Sequence, residues 1–515
     1  MSVTRFYQRP AFLYSIAIIS SILLSCWIDA RETVINPDAI CYLYSAEAVG
    51  QLGWRSAMHL CPQAIWPFYS ILIFAFGQFS HLSYGVAAFV LDGFFSLLTV
   101  IAFIALVKEL GGTRRVLWLA AMAILFSHDF NVLRQDIIRD HGFWAFYLTS
   151  VFFLLRYFHQ RHAVSALLWS TCLLIATSFR IEGAIFLLVL PLFSWFYTSE
   201  SWGQRTRFFL TLNMPLFVLV AMIMGWSVWH SQLSVGELGR VAEVGNQLQH
   251  GFAIVAGKYQ ATKVAVSQSV LTHVSLRDAS IVVFLLLISW YVVNVITNVS
   301  WIYAVLIGYA WIMKAAPFSR SAALVVWSYV VVNIGVTFVF FAENHFLAKR
   351  YLIAFSLILM LWVPFALNKL FQSSLSKQRL LGALAMIFVL ISAVGGIFHF
   401  GHSKTNIRQA GDWLAENVPE KANLYANDYQ LLYYSQHFGN TIFKKFEEYK
   451  DVNMIAHGHW HQYDYLALLV SKHKEDKAAH IMQEIHLTPL QVFVSNDGDH
   501  VYIYKVKVAK REKKS

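Results

Sequence analysis

Long apolar stretches separated by short polar loops fill the first 400 residues of the chain. About 20 mostly apolar residues are needed to cross a hydrocarbon core ~30 Å thick, and backbone inside lipid must be helical to satisfy its own hydrogen bonds. The pattern predicts spans near 11–28, 84–107, 116–127, 143–157, 163–179, 184–198, 208–229, 281–313, 321–341, 351–367 and 380–400. Two of these strain the count, since 116–127 is short and 281–313 is long enough to tilt strongly or to break near Asn294 to Asn298. The expected fold class is an all-α polytopic membrane protein of about 11 transmembrane helices, an odd number, with outer interfacial helices and a small C-terminal α/β soluble domain.

Basic residues in short loops mark the cytoplasmic side, and here they alternate with the apolar segments. The clusters are Arg5/Arg9, Lys108/Arg114/Arg115, Arg156/Arg161, Arg205/Arg207, Lys314/Arg320 and Lys369/Lys377/Arg379. The N-terminus is therefore expected in the cytoplasm and the C-terminus in the periplasm, as for a multi-pass protein of a cell inner membrane. A full span at Trp66–Phe79 would invert every later loop, so that stretch is expected to lie in the outer interface. Residues 29–80, 230–280 and 401–515 are then extracytoplasmic. The first apolar run follows Arg5 and Arg9 as a signal peptide would, and Leu23-Leu24-Ser25-Cys26 approximates a lipoprotein cleavage site. With ten further spans to hold the protein, an uncleaved first span is the expectation.

The chain changes character at Gly401, which divides it into a transmembrane domain, 1–400, and an extracytoplasmic α/β domain, 401–515. The tail carries 15 Lys/Arg against 14 Asp/Glu, the balance of a folded soluble domain. Helical patterns at Asn406–Asn417 and Val470–Ile485 alternate with strand-like runs. Val492–Ser495 and Val501–Val508, joined through Asn496-Asp497-Gly498-Asp499, read as a β-hairpin.

Composition agrees with the class: 57% of residues are hydrophobic, 16% aromatic and 13% charged, too much apolar surface for a soluble domain to hide. Dense aromatics in the spans serve packing and interface belts. Nothing points to nucleic acid; membrane lipids are the expected surroundings. Cys26 and Cys172 fall in spans, where a thiol packs as a small hydrophobe. Cys41 and Cys61 share the first outer loop, where they either form a disulfide or pack as two unpaired thiols.

Charge placement is the more informative signal. Of the 15 acidic residues before the tail, Glu109 and Glu200 are cytoplasmic, Asp92 lies in a span, and the remaining 12 face outward. Asp38 follows Asn36-Pro37, a helix-start signal, so Asp38, Tyr42 and Glu47 should project from the first turns of one helix. Asp136 and Asp140 are four apart at the mouth of a span and would share a face if that entry is helical; a wet pocket common to them and Asp38 is expected. Arg134, Arg139, Arg180, Lys349 and Arg350 break the positive-inside pattern within a few residues of spans. Each either holds a lipid phosphate or pairs with Asp136, Asp140 or Glu182.

The order of these motifs is similar to that of a known family. Asp38 with Tyr42 after the first span, Asp136 and Asp140 in the next outer loop, Arg180-Ile181-Glu182-Gly183 between short spans, Lys349-Arg350-Tyr351-Leu352 opening a late span, and then a small outer domain together resemble the GT-C glycosyltransferases. The protein O-mannosyltransferase and lipid A aminoarabinose transferase group is the closest in flavour. The resemblance implies transfer of a sugar from a polyprenyl-phosphate donor to an acceptor glycan, lipid or protein on the outer face, usually with inversion. By the same likeness Asp38 would be the general base. Tyr42, Asp136, Arg139, Asp140, Arg180, Glu182, Lys349, Arg350 and Tyr351 would bind substrate, with the cations facing the departing phosphate.

The chain also departs from the family's pattern. No DxD or ExD pair occurs in the second acidic cluster, so a divalent cation at Asp136/Asp140 competes with acceptor binding and with pairing to Arg134 and Arg139. His457, His459 and His461 alternate in the tail without the Cys or second His pair of a zinc finger. A transporter or flippase of a lipid-linked or small anionic substrate is the alternative class. It would usually bury ionisable groups at the midplane, where this sequence offers Asp92 and no visible inverted repeat.

Overall fold

The computed structural model describes residues 10–58, 60–61, 65–197, 200–229, 240–270, 278–398, 404–419, 422–436, 459–472 and 485–506. They form two compact units. Met1–Ile28, Val90–Gln135 and Arg139–His399 make the first, and Asp29–Phe89, Asp136–Ile138 and Phe400–Ser515 the second.

The first unit is helical. Counting the helix that begins at Tyr84 in the other unit, seven described helices are long and apolar enough to cross a membrane: Pro10–Asp29, Tyr84–Glu109, Trp202–Met222, Ala279–Val299, Arg320–Asn344, Lys349–Gln372 and Ser376–Phe398. An eighth results if Arg114–Leu125 and His128–Gln135, bent by 51°, count as one broken span. This is an integral multi-pass membrane protein, but the expected eleven spans are not reached by length and composition. Ala163–Phe179, Glu182–Phe196 and Trp301–Ile312 are apolar and shorter. The long stretch expected at 281–313 is two helices, Ala279–Val299 and Trp301–Ile312, parted at Ser300 with φ 78°. The break falls just beyond the expected interval, at a residue whose left-handed backbone cannot continue a helix.

Helix packing in lipid relies on close fit and on hydrogen bonds between helices. Around the fully buried Tyr329, Trp169 donates its indole N–H to the Tyr329 hydroxyl at 3.0 Å, and Ser150 bonds the same oxygen at 2.8 Å. Asn333 donates to the buried Tyr147 hydroxyl. Each such bond contributes on the order of 1 kcal/mol, and together they join Asp140–Gln160, Ala163–Phe179 and Arg320–Asn344. Lys349–Gln372 is the most enclosed of the spans, 89% buried.

The second unit combines the loop that follows Pro10–Asp29 with the tail. Its four-stranded sheet runs in the order β1 (Leu424–Ala426), β2 (Tyr465–Val470), β4 (His500–Lys505), β3 (Gln491–Val494), with β1 parallel to β2 and the other pairs antiparallel. The expected hairpin is present: β3 and β4 pair Val494 with His500 around a turn in which Gly498 takes φ 87°. Central β2 is almost wholly apolar because both its faces are covered. Tyr465 and Ala467 join Val501 and Ile503 under the Thr405–Asn417 and Tyr429–Tyr434 helices, while Leu466 and Leu468 join Tyr425, Trp460 and Tyr504 on the other side. Val34, from the first loop, is part of the helix-covered cluster.

In that loop Pro37–Leu52 packs on Phe68–Ser80, with Tyr42 edge-on to Tyr69 at 5.1 Å. Phe68–Ser80 has 13 residues, about 20 Å of helix, too short to span; it buries Tyr69, Ile73 and Gly77 and leaves Phe79 87% exposed. Cys41 and Cys61 are disulfide-bonded.

Candidate active site

Arg180 organises the first unit's polar cluster. It sits between Ala163–Phe179 and Glu182–Val189, in a connection kept tight by Gly183, whose added Cβ would lie 2.6 Å from the Thr177 backbone nitrogen. Gly142 permits a similar approach, since a Cβ there would stand 2.4 Å from the Phe179 ring. Arg180 is 9% exposed at its side chain; it donates from Nη1 to Asp140 and, as a fork, from Nε and Nη2 to Glu182. Burial alone would lower its pKa, but Asp140 and Glu182 raise it above the ordinary value. Burial likewise works to raise Glu182, and the Arg180 charge, aided by Arg139, brings it below the usual carboxylate range. Arg180 and Glu182 therefore stay charged at neutral pH.

The ring of Tyr351 lies beside two guanidiniums, with Arg180 at 4.5 Å and Arg350 at 5.2 Å from its centroid. These three residues and Glu182, with Asn333 and Thr337, form the polar side of a small open cleft. Phe143, Phe186, Val336, Phe340, Leu347 and Ala354 make up most of its apolar wall. A cation beside an apolar cleft is the chemistry that an amphiphilic phosphate requires.

Lys349, next in sequence to Arg350, reaches Asp129 at 2.9 Å, an acid 2% exposed at its side chain. Its carbonyl accepts from the buried Asn298, whose own oxygen accepts from Ser356. Arg134 is buried, donating to the Ser21 carbonyl and to the Ser21 and Ser25 hydroxyls. His141 is fully buried between Ser96 and the Leu133 carbonyl.

In the second unit Asp38 is the second residue of Pro37–Leu52 and half-buried. The sequence reading of this helix start holds, with Pro37 in the first turn and Asn36 before it. Tyr42 does not project as expected: it is 4% exposed and packed on Tyr69. Asp136 and Asp140 do not share a helical face, because the helix begins at Asp140 and Asp136 precedes it in an irregular turn. They also belong to different units. The cation considered for that pair meets an Asp140 carboxylate already engaged by Arg180, and no group of three His, Cys, Asp or Glu side chains among the described residues is arranged to hold a metal. Of the tail histidines, His461 lies against Trp460, and His457 is outside the described residues.

Sequence reasoning missed Asn36, Asn298 and Asp129 as partners in these contacts. Asn36 carried a signal, as a polar residue before Pro37. Its side chain makes no cap, however, and instead bonds both the N–H and the carbonyl of Ile137, at 2.8 and 3.3 Å.

No family model matches the sequence, and no curated protein sequence matches it. Solved structures do match. ArnT from Cupriavidus metallidurans in the apo state aligns over 99% of both chains with TM-score 0.56 and 13% identity. The same protein bound to undecaprenyl phosphate gives 0.55 and 15% over the same shares. The archaeal oligosaccharyltransferase AglB from Archaeoglobus fulgidus, in complex with an inhibitory peptide and a dolichol-phosphate, aligns with 97% of this chain and 74% of its own, with TM-score 0.55 and 12% identity. From its first span to its tail, the chain has the GT-C fold of membrane glycosyltransferases.

Proposed function

We propose that this protein is an inverting glycosyltransferase that moves a sugar from a polyprenyl-phosphate donor to an acceptor on the outer, periplasmic face of the membrane. The observation that carries the reading is the cavity with Arg180, Arg350 and Tyr351 at its polar side and phenylalanines along its wall, within a fold shared with a protein solved bound to undecaprenyl phosphate. Arg350 takes the donor phosphate, while Arg180, fixed by Asp140 and Glu182, supplies standing positive charge to the leaving group. Asp38 accepts the acceptor hydroxyl proton as the oxygen bonds to the anomeric carbon. The bond from that carbon to the phosphate oxygen breaks, and polyprenyl phosphate leaves with the electron pair. A phosphate leaving group needs little acid help, so one base and a set of cations suffice.

The test is turnover in membranes with a defined lipid-linked sugar. Asp38→Asn keeps the shape but cannot take the proton, so turnover should fall by roughly 10²-fold or more while polyprenyl phosphate still binds. Were Asp38 only part of the helix start, Asn would serve nearly as well, and near wild-type turnover would end the base assignment. For the donor, Arg350→Ala should raise the apparent KM for the lipid more than Arg350→Lys does, because Lys keeps the charge and loses the fork. Unchanged donor dependence in both would return Arg350 to a structural role.

A further inference from the structure

The three residues that lead into Pro37 are held from two directions. Val34 is 3% exposed and packs with Ile407, Leu414 and Leu431 in the tail's core. The Ile35 N–H donates to the Tyr434 hydroxyl at 2.8 Å, and the Ile35 carbonyl accepts from Gln430 Nε2 at 2.6 Å. At the next residue, Asn36 makes its reciprocal pair of bonds with the Ile137 backbone. Four hydrogen bonds thus converge on two consecutive residues, the second of which is separated from Asp38 by Pro37 alone.

We propose that Gln430, Tyr434 and Asn36 are positioning residues for Asp38, so that the tail domain acts on the transfer step by fixing where the Pro37–Leu52 helix begins. This rests on the reading of Asp38 as the base. Proline sets the backbone angle at the first turn, but the height and direction of that turn follow from where residues 34–36 are anchored. A base must stand within about 2.6–3.2 Å of the proton it takes, and a displacement of about 1 Å can cost on the order of 10²-fold in rate. Gln430 shows that packing is not the whole purpose of the contact. It is 2% exposed on a helix whose neighbouring Leu431, Leu432 and Tyr434 already fill the core. Its amide is directed to a carbonyl 395 positions away, where an apolar residue would fill the same volume without the cost of burying an amide.

The experiment uses the full chain with Tyr434→Phe, which keeps the ring and loses one bond, and Gln430→Met, which keeps the volume and loses the other. With a defined polyprenyl-phosphate sugar, each should lower kcat about 3–10-fold, the range of one lost hydrogen bond, at unchanged KM for the lipid. Neither should lower it further in an Asp38→Asn background, because residues acting through one group are not additive. Amide exchange in detergent should quicken at residues 38–42 and stay unchanged in β1 and β2. Wild-type kcat in both variants alongside an impaired Asp38→Asn overturns the positioning role alone. So do losses that multiply with Asp38→Asn, or exchange that quickens across the whole sheet. Near wild-type turnover in Asp38→Asn overturns the base assignment, and the positioning role falls with it.

Discussion

Asp428 precedes the helix that anchors Ile35, and its carboxylate accepts from the Gln430 and Leu431 N–H groups at 2.8 and 3.2 Å. Burial nonetheless raises its pKa, and the two N–H groups with Lys404 only partly oppose the shift. A raised folded-state value means that folding favours the protonated acid. The associated stability is fully present below the ordinary value of about 3.9 and is lost as pH rises through the folded value. Asp428→Asn keeps the cap and removes the titration. Thermal unfolding of the solubilised chain should therefore show the variant more stable than wild type at neutral pH, with the gap closing as pH falls toward about 4; a gap independent of pH would remove the burial argument. Other residue pairs differ in how far the sequence exposes them. Arg180 and Glu182 are two apart, so their pairing is legible in the chain. Arg180 with Asp140, 40 residues apart, was one of the pairings the sequence left open, whereas Lys349 with Asp129, 220 apart, is brought together only by the folded helices.

Among the elements, Pro37–Leu52 is the one on which most of the proposed chemistry depends, and it is fastened at both ends of its first turn. Behind Asp38, residues 34–36 are tied to the tail; ahead of it, Cys41 is bonded to Cys61 across a separation of 20 residues. Closing a loop of that size is worth about 3 kcal/mol through the unfolded chain. A Cys41→Ser, Cys61→Ser double variant should unfold at lower temperature and be cut more readily by protease between residues 53 and 67. A mild reductant should reproduce both effects in wild type and change nothing in the variant. Equal protease sensitivity would show that packing alone holds the segment. Spacing identified the two cysteines but left their pairing open, because distance in sequence does not set distance in space. The helix start at Pro37 was legible because its signals are local. The separation of Asp136 from Asp140 was not, because the backbone of Ile137 is bonded by Asn36, 101 residues away, and that tertiary contact overrides the helical spacing.

For the whole molecule, the second unit carries a topological consequence. Residues 29–89, 136–138 and the tail share one compact body, and we expect them to lie on one side of the membrane. That arrangement requires the chain to leave along Tyr84–Glu109 and to return by residue 136, with the bent pair Arg114–Leu125 and His128–Gln135 as the crossing. Between residues 139 and 400 it requires an even number of crossings. Five long spans lie there among the described residues, so it also requires an odd number of the other helices to cross. Ser83→Cys and Asn417→Cys, each the only reactive cysteine in its variant, should be labelled alike by a membrane-impermeant thiol reagent on intact spheroplasts. Labelling of one without the other would break the unit apart. Hydropathy and basic loops indicated an odd total from the sequence. The count itself was less legible, because short helices enclosed by protein need not meet the length that lipid demands of an isolated span. The same unit also sets an order of assembly in time. Ile35 and Gln430 are 395 residues apart, and at about 5–20 residues per second the ribosome needs roughly 20–80 s to travel from one to the other. Throughout that interval the Pro37–Leu52 helix lacks its anchor, so the base proposed at Asp38 would be settled only once the domain carrying Gln430 has folded.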